Sequence, residues 1–204
     1  MSVFTFAELQ GEALTKGTFG SVLISKSAQI NESKDNASSI LNFKKDPDSK
    51  QYDIFLSHSF NDRVAVLGLK LKFEQMGFPT YVDWCCDPQL SRSSISKATS
   101  EQLRMRMKNC KTLIYAFSSN AANSSWMPWE LGFIDGDKSR CSVLRVEDEN
   151  QAFTYKGYEY LEIYPYVQEA KPKGKPDETL WVYEKPRRYV IYSNWIKGAN
   201  PTSR

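Results

Sequence analysis

The stretch YDIFLSHS at residues 52–59 decides the fold class. It begins as a short apolar run and ends in small polar residues, a pattern typical of a strand buried in a parallel sheet. In residues 61–76 apolar side chains recur at helical spacing, although those of residues 67–73 also alternate as in a strand. The length of this segment and the stop at Gly77 favour a helix.

Strands and helices continue to alternate after this first pair. The further predicted elements are a strand at 78–84, a helix at 97–109, a strand at 111–117, a helix beginning at Trp126, a strand at 141–146 and a weaker fifth strand at 160–163. Such alternation indicates βαβ units, with a parallel sheet flanked by helices. The chain is therefore predicted to be an α/β protein.

Small polar and charged residues follow three of the predicted strands. They are Ser57-His58-Ser59, Asp83-Trp84 and Ser118-Ser119-Asn120. Ligands of parallel α/β sheets bind beyond the carboxyl ends of the strands. These residues therefore indicate a binding site at that edge of the sheet.

Composition divides the chain into three segments. Residues 1–50 form an N-terminal extension, in which a weak helical pattern precedes a strand at 21–25 and a polar linker. Residues 51–165 carry the alternating pattern. Residues 166–204 form a basic, aromatic extension that prolines interrupt, with two short strand patterns.

Charge and cysteine usage argue against several classes of partner. The chain has 27 Lys and Arg against 24 Asp and Glu, and the surplus lies in the C-terminal extension, where a solvated basic end explains it better than a nucleic-acid or membrane partner. Four cysteines without a Cys-x-x-Cys pair and a single histidine, His58, predict no metal site. Because neither a secretory signal nor an apolar run of roughly 20 residues is present, we expect a cytoplasmic location.

The segment SWMPWELG at residues 125–132 carries the most informative side chains. On a helix Trp126 and Glu130 lie four residues apart and share one face. A carboxylate against an aromatic wall is partly desolvated and acts strongly on a nearby cation. The structural alternative is ordinary, because Glu is favoured in the first turn of a helix and Trp is usually a core residue. From spacing alone that alternative is the commoner one.

One reaction fits a lone carboxylate beside an aromatic wall. Cleavage at a ribose C1 atom passes through a transition state that resembles an oxocarbenium ion, whose positive charge a fixed carboxylate stabilises. Nicotinamide leaves NAD as a neutral base, so this cleavage needs no general acid. Most hydrolases that must protonate a leaving group are disfavoured, because no second catalytic carboxylate or histidine is obvious.

The order and spacing of these motifs resemble those of TIR domains. The matching segments are 52–59, 83–84, 115–120, 125–126 and 130–132, and they cover roughly residues 50–165. Similarity to the bacterial branch is strongest, including the Trp-x-x-x-Glu spacing of Trp126 and Glu130. The loop around residues 92–96 departs from the family, because the glycine usual there is replaced.

The resemblance implies a flavodoxin-like TIR fold with a five-stranded parallel sheet flanked by helices. It also implies NAD cleavage without a further cofactor, NAD being the substrate, to linear or cyclic ADP-ribose as an antiphage signal for a separate effector protein. The loop at 85–95 would serve self-association into an oligomer. The implied site residues are Glu130 as the catalytic group and His58, Ser59, Phe60, Asp83 and Trp126 around the dinucleotide.

Other functions stay open at this stage. The chain could be a non-enzymatic TIR adaptor, or an enzyme similar to nucleoside deoxyribosyltransferases that uses its glutamate as a nucleophile. His58 could be a hydrogen-bonding loop residue and Asp83 a cap. A dehydrogenase-type NAD site is disfavoured, because no Gly-x-Gly-x-x-Gly follows the first predicted strand.

Overall fold

The computed structural model describes five parts of the chain. They are residues 4–16, 44–90, 96–121, 124–147 and 158–203. The predicted strand at 21–25 and part of the 85–95 loop lie outside the described residues.

Strands and helices alternate through the middle of the chain, and short strands follow at its C-terminal end. The strands are β1 (Phe4–Thr5), β2 (Tyr52–Ser57), β3 (Thr80–Tyr81), β4 (Cys110–Phe117), β5 (Cys141–Glu147), β6 (Tyr166–Ala170), β7 (Thr179–Lys185), β8 (Arg188–Ile191) and β9 (Thr202–Ser203). The helices are α1 (Phe6–Lys16), α2 (Arg63–Gln75), α3 (Asp83–Cys86), α4 (Lys97–Lys108), α5 (Trp126–Lys138) and α6 (Tyr192–Trp195). Among the described residues, 3-10 helices occupy Phe60–Asp62 and Glu159–Ile163.

The central sheet is parallel and has the order β3-β2-β4-β5-β6. Numbered along the chain, these five strands stand in the order second, first, third, fourth, fifth, which is the flavodoxin-like arrangement. The predicted fold class is therefore confirmed. Since β3 and β4 flank β2 on opposite sides, the strand order reverses between β2 and β4, and such a reversal is where ligands of these folds bind.

The fifth parallel strand is not where the sequence pattern indicated. Residues 160–163 belong to a 3-10 helix, and the strand is β6, whose Tyr166 pairs with Val143 of β5. In the 3-10 helix Leu161 is buried while Ile163 is 76% exposed, so the apolar residues do not supply the two buried faces of an inner strand. The prediction for 160–163 was wrong because a short, mainly apolar run fits both structures.

The predicted strand at 78–84 also shortens to two residues. The amide groups of Cys85 and Cys86 donate to the Val82 carbonyl at 3.1 and 2.9 Å, which closes the helical turn of α3. Asp83 is therefore the first residue of a short helix at the end of β3, and the 85–95 loop begins with helical residues. The helix predicted from Trp126 begins there, as α5.

Residues 4–16 and 166–203 share the sheet and core of the central segment. Strand β1 pairs with the end of β5, and α1 packs against α2 through its buried Leu9 and Ala13. Strands β7, β8 and β9 extend the sheet beyond β6 in antiparallel order. The Tyr192 hydroxyl of α6 forms a 2.7 Å hydrogen bond with the Thr112 hydroxyl of β4. The sequence boundaries at 50 and 165 stay predictions.

The contact between α1 and α2 allows no side chain at Gly68. A Cβ atom built there would lie 2.1 Å from the Leu9 carbonyl oxygen. Gly68→Ala is therefore expected to lower the free energy of unfolding by roughly 1–3 kcal/mol, measured by urea denaturation. Gly136→Ala in α5 is the matched control, because a Cβ there meets nothing within 4 Å. Unchanged stability of Gly68→Ala would contradict this packing of α1.

Candidate active site

The carboxyl ends of β2 and β4 meet where the strand order reverses. Ser57 and Tyr115 are partners in the ladder of these strands, and neither side chain is exposed. Paired residues of adjacent strands point to the same face of a sheet. Both side chains therefore lie on the face from which Ser57 reaches α5.

Glu130 occupies the second turn of α5 and is completely buried. The Ser57 hydroxyl donates a hydrogen bond of 2.6 Å to its Oε2 atom, and 73 residues of chain separate the two. A hydroxyl-to-carboxylate bond of this length is of the strong, charge-assisted kind. Burial removes solvent screening, so a carboxylate here acts strongly on positive charge brought next to it.

Trp126 begins α5, one helical turn before Glu130. Its half-buried ring packs edge-on against Trp129, with 5.5 Å between the ring centroids. On α4, Arg104 places its guanidinium 5.5 Å from the centroid of the Trp129 ring. The tryptophans therefore form an aromatic wall at the start of the helix that carries the buried carboxylate.

The structure brings His58 and Asp83 together, and both are buried. His58 Nδ1 lies 2.8 Å from the Leu56 carbonyl oxygen, which can only accept, so Nδ1 is the donor. His58 Nε2 lies 3.5 Å from Asp83 Oδ1. This contact joins the loop after β2 to helix α3. The structure thus supports a hydrogen-bonding role for His58, because its Nδ1 proton is donated to the Leu56 carbonyl.

Ser59 and Phe60 follow His58 at the start of the 3-10 helix Phe60–Asp62. Ser59 is buried, and its carbonyl accepts from the Asp62 amide at 3.0 Å. Phe60 is half-buried, with the Arg63 guanidinium 4.8 Å from its ring centroid. Burial lowers the pKa of Arg63, since desolvation disfavours its charged form. This loop therefore presents an aromatic face and a partly desolvated cation near the end of β2.

Asp62 lies at the edge of this site, although no sequence motif pointed to it. Its carboxylate accepts 2.5 Å hydrogen bonds from the Ser118 hydroxyl and the Asn120 amide. Ser118 and Asn120 were expected at this edge because they follow a strand. The sequence pattern placed Asp62 inside a predicted helix, where an acidic residue is ordinary. Its position shortly after the end of β2 is the feature that could have indicated a place at the site. The three residues tie the loops after β2 and β4 together.

A group of four aromatic residues lines the same region, and we call it the aromatic cluster. It comprises Tyr115, Phe117, Tyr158 and Tyr160, whose successive ring centroids lie 6.3, 5.6 and 6.1 Å apart. Tyr115 is fully buried, whereas Tyr160 is 40% exposed. The cluster therefore runs from the sheet to the surface.

Arg106 of α4 anchors the segment that follows α3. It is fully buried and donates from Nε and Nη2 to the two carboxylate oxygens of Asp87, both at 2.7 Å. It also donates to the carbonyl oxygens of Asp46 and Pro47, each at 2.7 Å. Tyr81 adds a 2.8 Å hydrogen bond to Asp87. The pair thus fixes the chain directly after the helix that begins with Asp83.

The described residues contain no candidate membrane-spanning helix and no candidate metal cluster. None of the described helices is long and apolar enough to cross a membrane. Among the same residues, no group of three or more His, Cys, Asp or Glu side chains could hold a metal ion. All four cysteines are buried free thiols, and burial raises the pKa of Cys85, Cys86, Cys110 and Cys141.

A buried carboxylate beside the strand-order reversal of a flavodoxin-like sheet places this chain among the α/β proteins that bind a ligand at the carboxyl ends of their parallel strands. Comparison with known proteins narrows this class, although no protein-family model matches the chain. The chain is 45% identical over 149 residues to "Probable 3' cyclic ADP-D-ribose synthase ThsB'" of Bacillus cereus (strain MSX-D12). The aligned region covers 73% of this chain and 77% of the relative. It is 25% identical over 120 residues to "Putative cyclic ADP-D-ribose synthase TIR2" of Cytobacillus dafuensis, covering 52% of this chain and 32% of that longer protein. The chain belongs to this bacterial TIR-domain family.

Proposed function

We propose that this chain cleaves the nicotinamide–ribose bond of NAD and closes the remainder into cyclic ADP-ribose, with Glu130 as the catalytic residue. The supporting observation is the buried Glu130 carboxylate, which Ser57 holds where the strand order reverses. The similarity to a protein named as a 3' cyclic ADP-D-ribose synthase supports the same activity.

The chemistry needs one carboxylate. As the bond between ribose C1 and the nicotinamide nitrogen breaks, its electron pair leaves with nicotinamide, which departs neutral while positive charge develops on the ribose. The buried carboxylate stabilises that charge. An acceptor atom of the same ADP-ribosyl group then bonds to C1 and loses its proton, which passes to solvent through Glu130. Water as the acceptor gives the linear product instead.

The surrounding residues have binding roles in this proposal. Phe60 and Trp126 offer half-buried aromatic faces on which the rings of NAD stack. His58 and Asp83 join the loops after β2 and β3, so they shape the pocket rather than transfer protons. Ser59, at the start of the 3-10 helix, lines the pocket with its backbone. No further cofactor takes part.

Ser57 is a positioning residue for the catalytic carboxylate. Ser57→Ala is expected to lower kcat by roughly 10- to 100-fold with little change in KM, because a hydrogen bond to a charged group is lost while the binding residues stay. Steady-state kinetics of nicotinamide release measures both constants. Ser142→Ala is the matched control, since Ser142 is a buried strand serine that donates to the Leu113 carbonyl and not to Glu130. A loss confined to KM would show that Ser57 acts in binding.

The proposed product is a signal for a separate effector protein in antiphage defence. Self-association belongs to the same proposal and uses the 85–95 loop. Cys85, Cys86 and Asp87 are buried, whereas Gln89 is exposed, so the contact surface begins after Asp87. The cytoplasm, where NAD is available and thiols stay reduced, is the proposed location.

The test is incubation of the purified chain with NAD at low and high protein concentration. Nicotinamide release is followed by chromatography, and the products are identified by mass. We expect release together with a product that has the mass of cyclic ADP-ribose, and a rate per molecule that rises with concentration if self-association activates the enzyme. Cleavage of free nucleosides but not NAD would favour a deoxyribosyltransferase-like activity. Absence of any cleavage, even with lysate from phage-infected cells as a trigger, would favour an adaptor.

A further inference from the structure

The aromatic cluster connects the buried carboxylate with the surface. Tyr115 is the ladder partner of Ser57, the residue that holds Glu130, and lies on the same face of the sheet. The pKa of Tyr115 is raised by burial first, and then by the neighbouring Tyr160, Tyr158 and Glu130. Tyr115 therefore stands between the catalytic carboxylate and the two tyrosines of the 3-10 segment.

The inner and outer ends of the cluster are in direct contact. Tyr160 lies close enough to hydrogen-bond with the buried Tyr115 hydroxyl, and this interaction is among the causes that raise the pKa of Tyr115. The exposed tyrosine of the cluster therefore contacts the residue that is paired with Ser57 beside Glu130.

Tyr160 is the outermost member of the aromatic cluster. It lies in the 3-10 helix Glu159–Ile163, contacts Tyr158 and Tyr115, and is 40% exposed. Three further aromatic rings fill the space behind it. Removal of this side chain would therefore open a path for solvent toward Tyr115 and Glu130.

We propose that Tyr160 shields the reacting ribose carbon from water and so sets the ratio of cyclic to linear product. This inference rests on the proposed function. Both products follow loss of neutral nicotinamide from C1. In one, an atom of the ADP-ribosyl group bonds to C1 and releases a proton; in the other, water oxygen bonds to C1 and releases a proton. An intramolecular acceptor held in reacting geometry reaches a very high effective concentration. Exclusion of water from the site separately prevents hydrolysis of the reactive intermediate.

The experiment compares Tyr160→Ala, Tyr160→Phe and the wild type by the fraction of product that is cyclic, whatever the total rate. Tyr160→Ala is expected to lower the cyclic-to-linear ratio by about tenfold, because water gains access to C1. Tyr160→Phe keeps the ring and is expected to keep the ratio. Ile163→Ala is the matched control, since Ile163 is 76% exposed in the same 3-10 helix and lies outside the cluster.

Methanol added as a competing nucleophile gives an independent readout. Its oxygen would bond to C1 with loss of its proton and give methyl ADP-riboside, identified by mass. The share of this product should rise in Tyr160→Ala and not in Ile163→Ala.

The outcomes separate this inference from the function on which it rests. An unchanged cyclic-to-linear ratio in Tyr160→Ala would overturn shielding by the Tyr160 ring. So would a fall of the ratio in Tyr160→Phe and Ile163→Ala that equals the fall in Tyr160→Ala. Either result would leave NAD cleavage itself in place. A wild type that releases nicotinamide but forms only linear product would overturn the inference together with the proposed cyclisation. A wild type that releases no nicotinamide would overturn NAD cleavage itself.

Discussion

Glu130→Gln lowers the rate of NAD cleavage by roughly 10²–10³-fold or more, which is the scale observed when one preorganised electrostatic group is lost. The side chain keeps its size, and its amide oxygen can still accept the hydrogen bond from Ser57. What disappears is the negative charge that stabilises the developing cation at ribose C1. Nicotinamide release under saturating NAD measures the effect.

The matched control for this variant is Asp137→Asn. Asp137 lies two turns further along α5, and its carboxylate is partly exposed, 3.8 Å from Lys138. It should retain wild-type turnover, because a solvated carboxylate there does not contact the site. Wild-type turnover in Glu130→Gln, with the fold intact by circular dichroism, would remove Glu130 from the mechanism. A loss of folded structure in Glu130→Gln would instead show that the buried glutamate stabilises the fold.

Arg106→Met lowers the free energy of unfolding by roughly 3–5 kcal/mol, the usual cost of breaking a buried ion pair from one side. Without the guanidinium, the buried Asp87 carboxylate loses both 2.7 Å hydrogen bonds, and the Asp46 and Pro47 carbonyls each lose a hydrogen bond of 2.7 Å. Urea denaturation measures the loss. Lys108→Ala, at an exposed position on the same helix, should change stability by less than about 0.5 kcal/mol.

A double variant separates the ion pair from simple side-chain packing. Arg106→Met combined with Asp87→Leu leaves no uncompensated charge inside, so it should be more stable than Arg106→Met alone. Tyr81 and Gln102 also donate to Asp87, so the recovery should be incomplete. A double variant less stable than the single one would show that packing volume, and not charge, is what Arg106 supplies.

The parallel sheet could be predicted because its inner strands are mainly apolar runs that alternate with helical patterns, and two of them, β2 and β4, end in small polar residues. The bounds of β2, β4 and β5 differ from expectation by at most one residue. Prediction from the local sequence pattern failed where a strand or helix is short. β3 has two residues and is followed after Val82 by α3, while residues 160–163 form a short apolar run that a 3-10 helix accommodates equally well.

Contacts between distant parts of the chain were beyond the reach of sequence patterns. Arg106 looked like one of several basic residues on an amphipathic helix, and only its partner Asp87, 19 positions earlier, explains its burial. Helix α1 carries a weak pattern, and its place against α2 depends on the absence of a side chain at Gly68. The motif made Glu130 a candidate site residue, but its hydrogen bond with the Ser57 hydroxyl could not be predicted.

The antiparallel strands at the C-terminal end have a consequence for how copies of this chain can meet. Strand β6 would form one border of the parallel sheet, with unpaired amide and carbonyl groups open to a neighbour. β7 covers that border, and the described sheet ends in β9 on this side and β3 on the other, each two residues long. Borders so short offer almost no template for strand addition. The part of the sheet that the structure describes therefore offers little backbone for pairing with the sheet of a second copy, and we expect any contact between copies to use loop and helix surfaces.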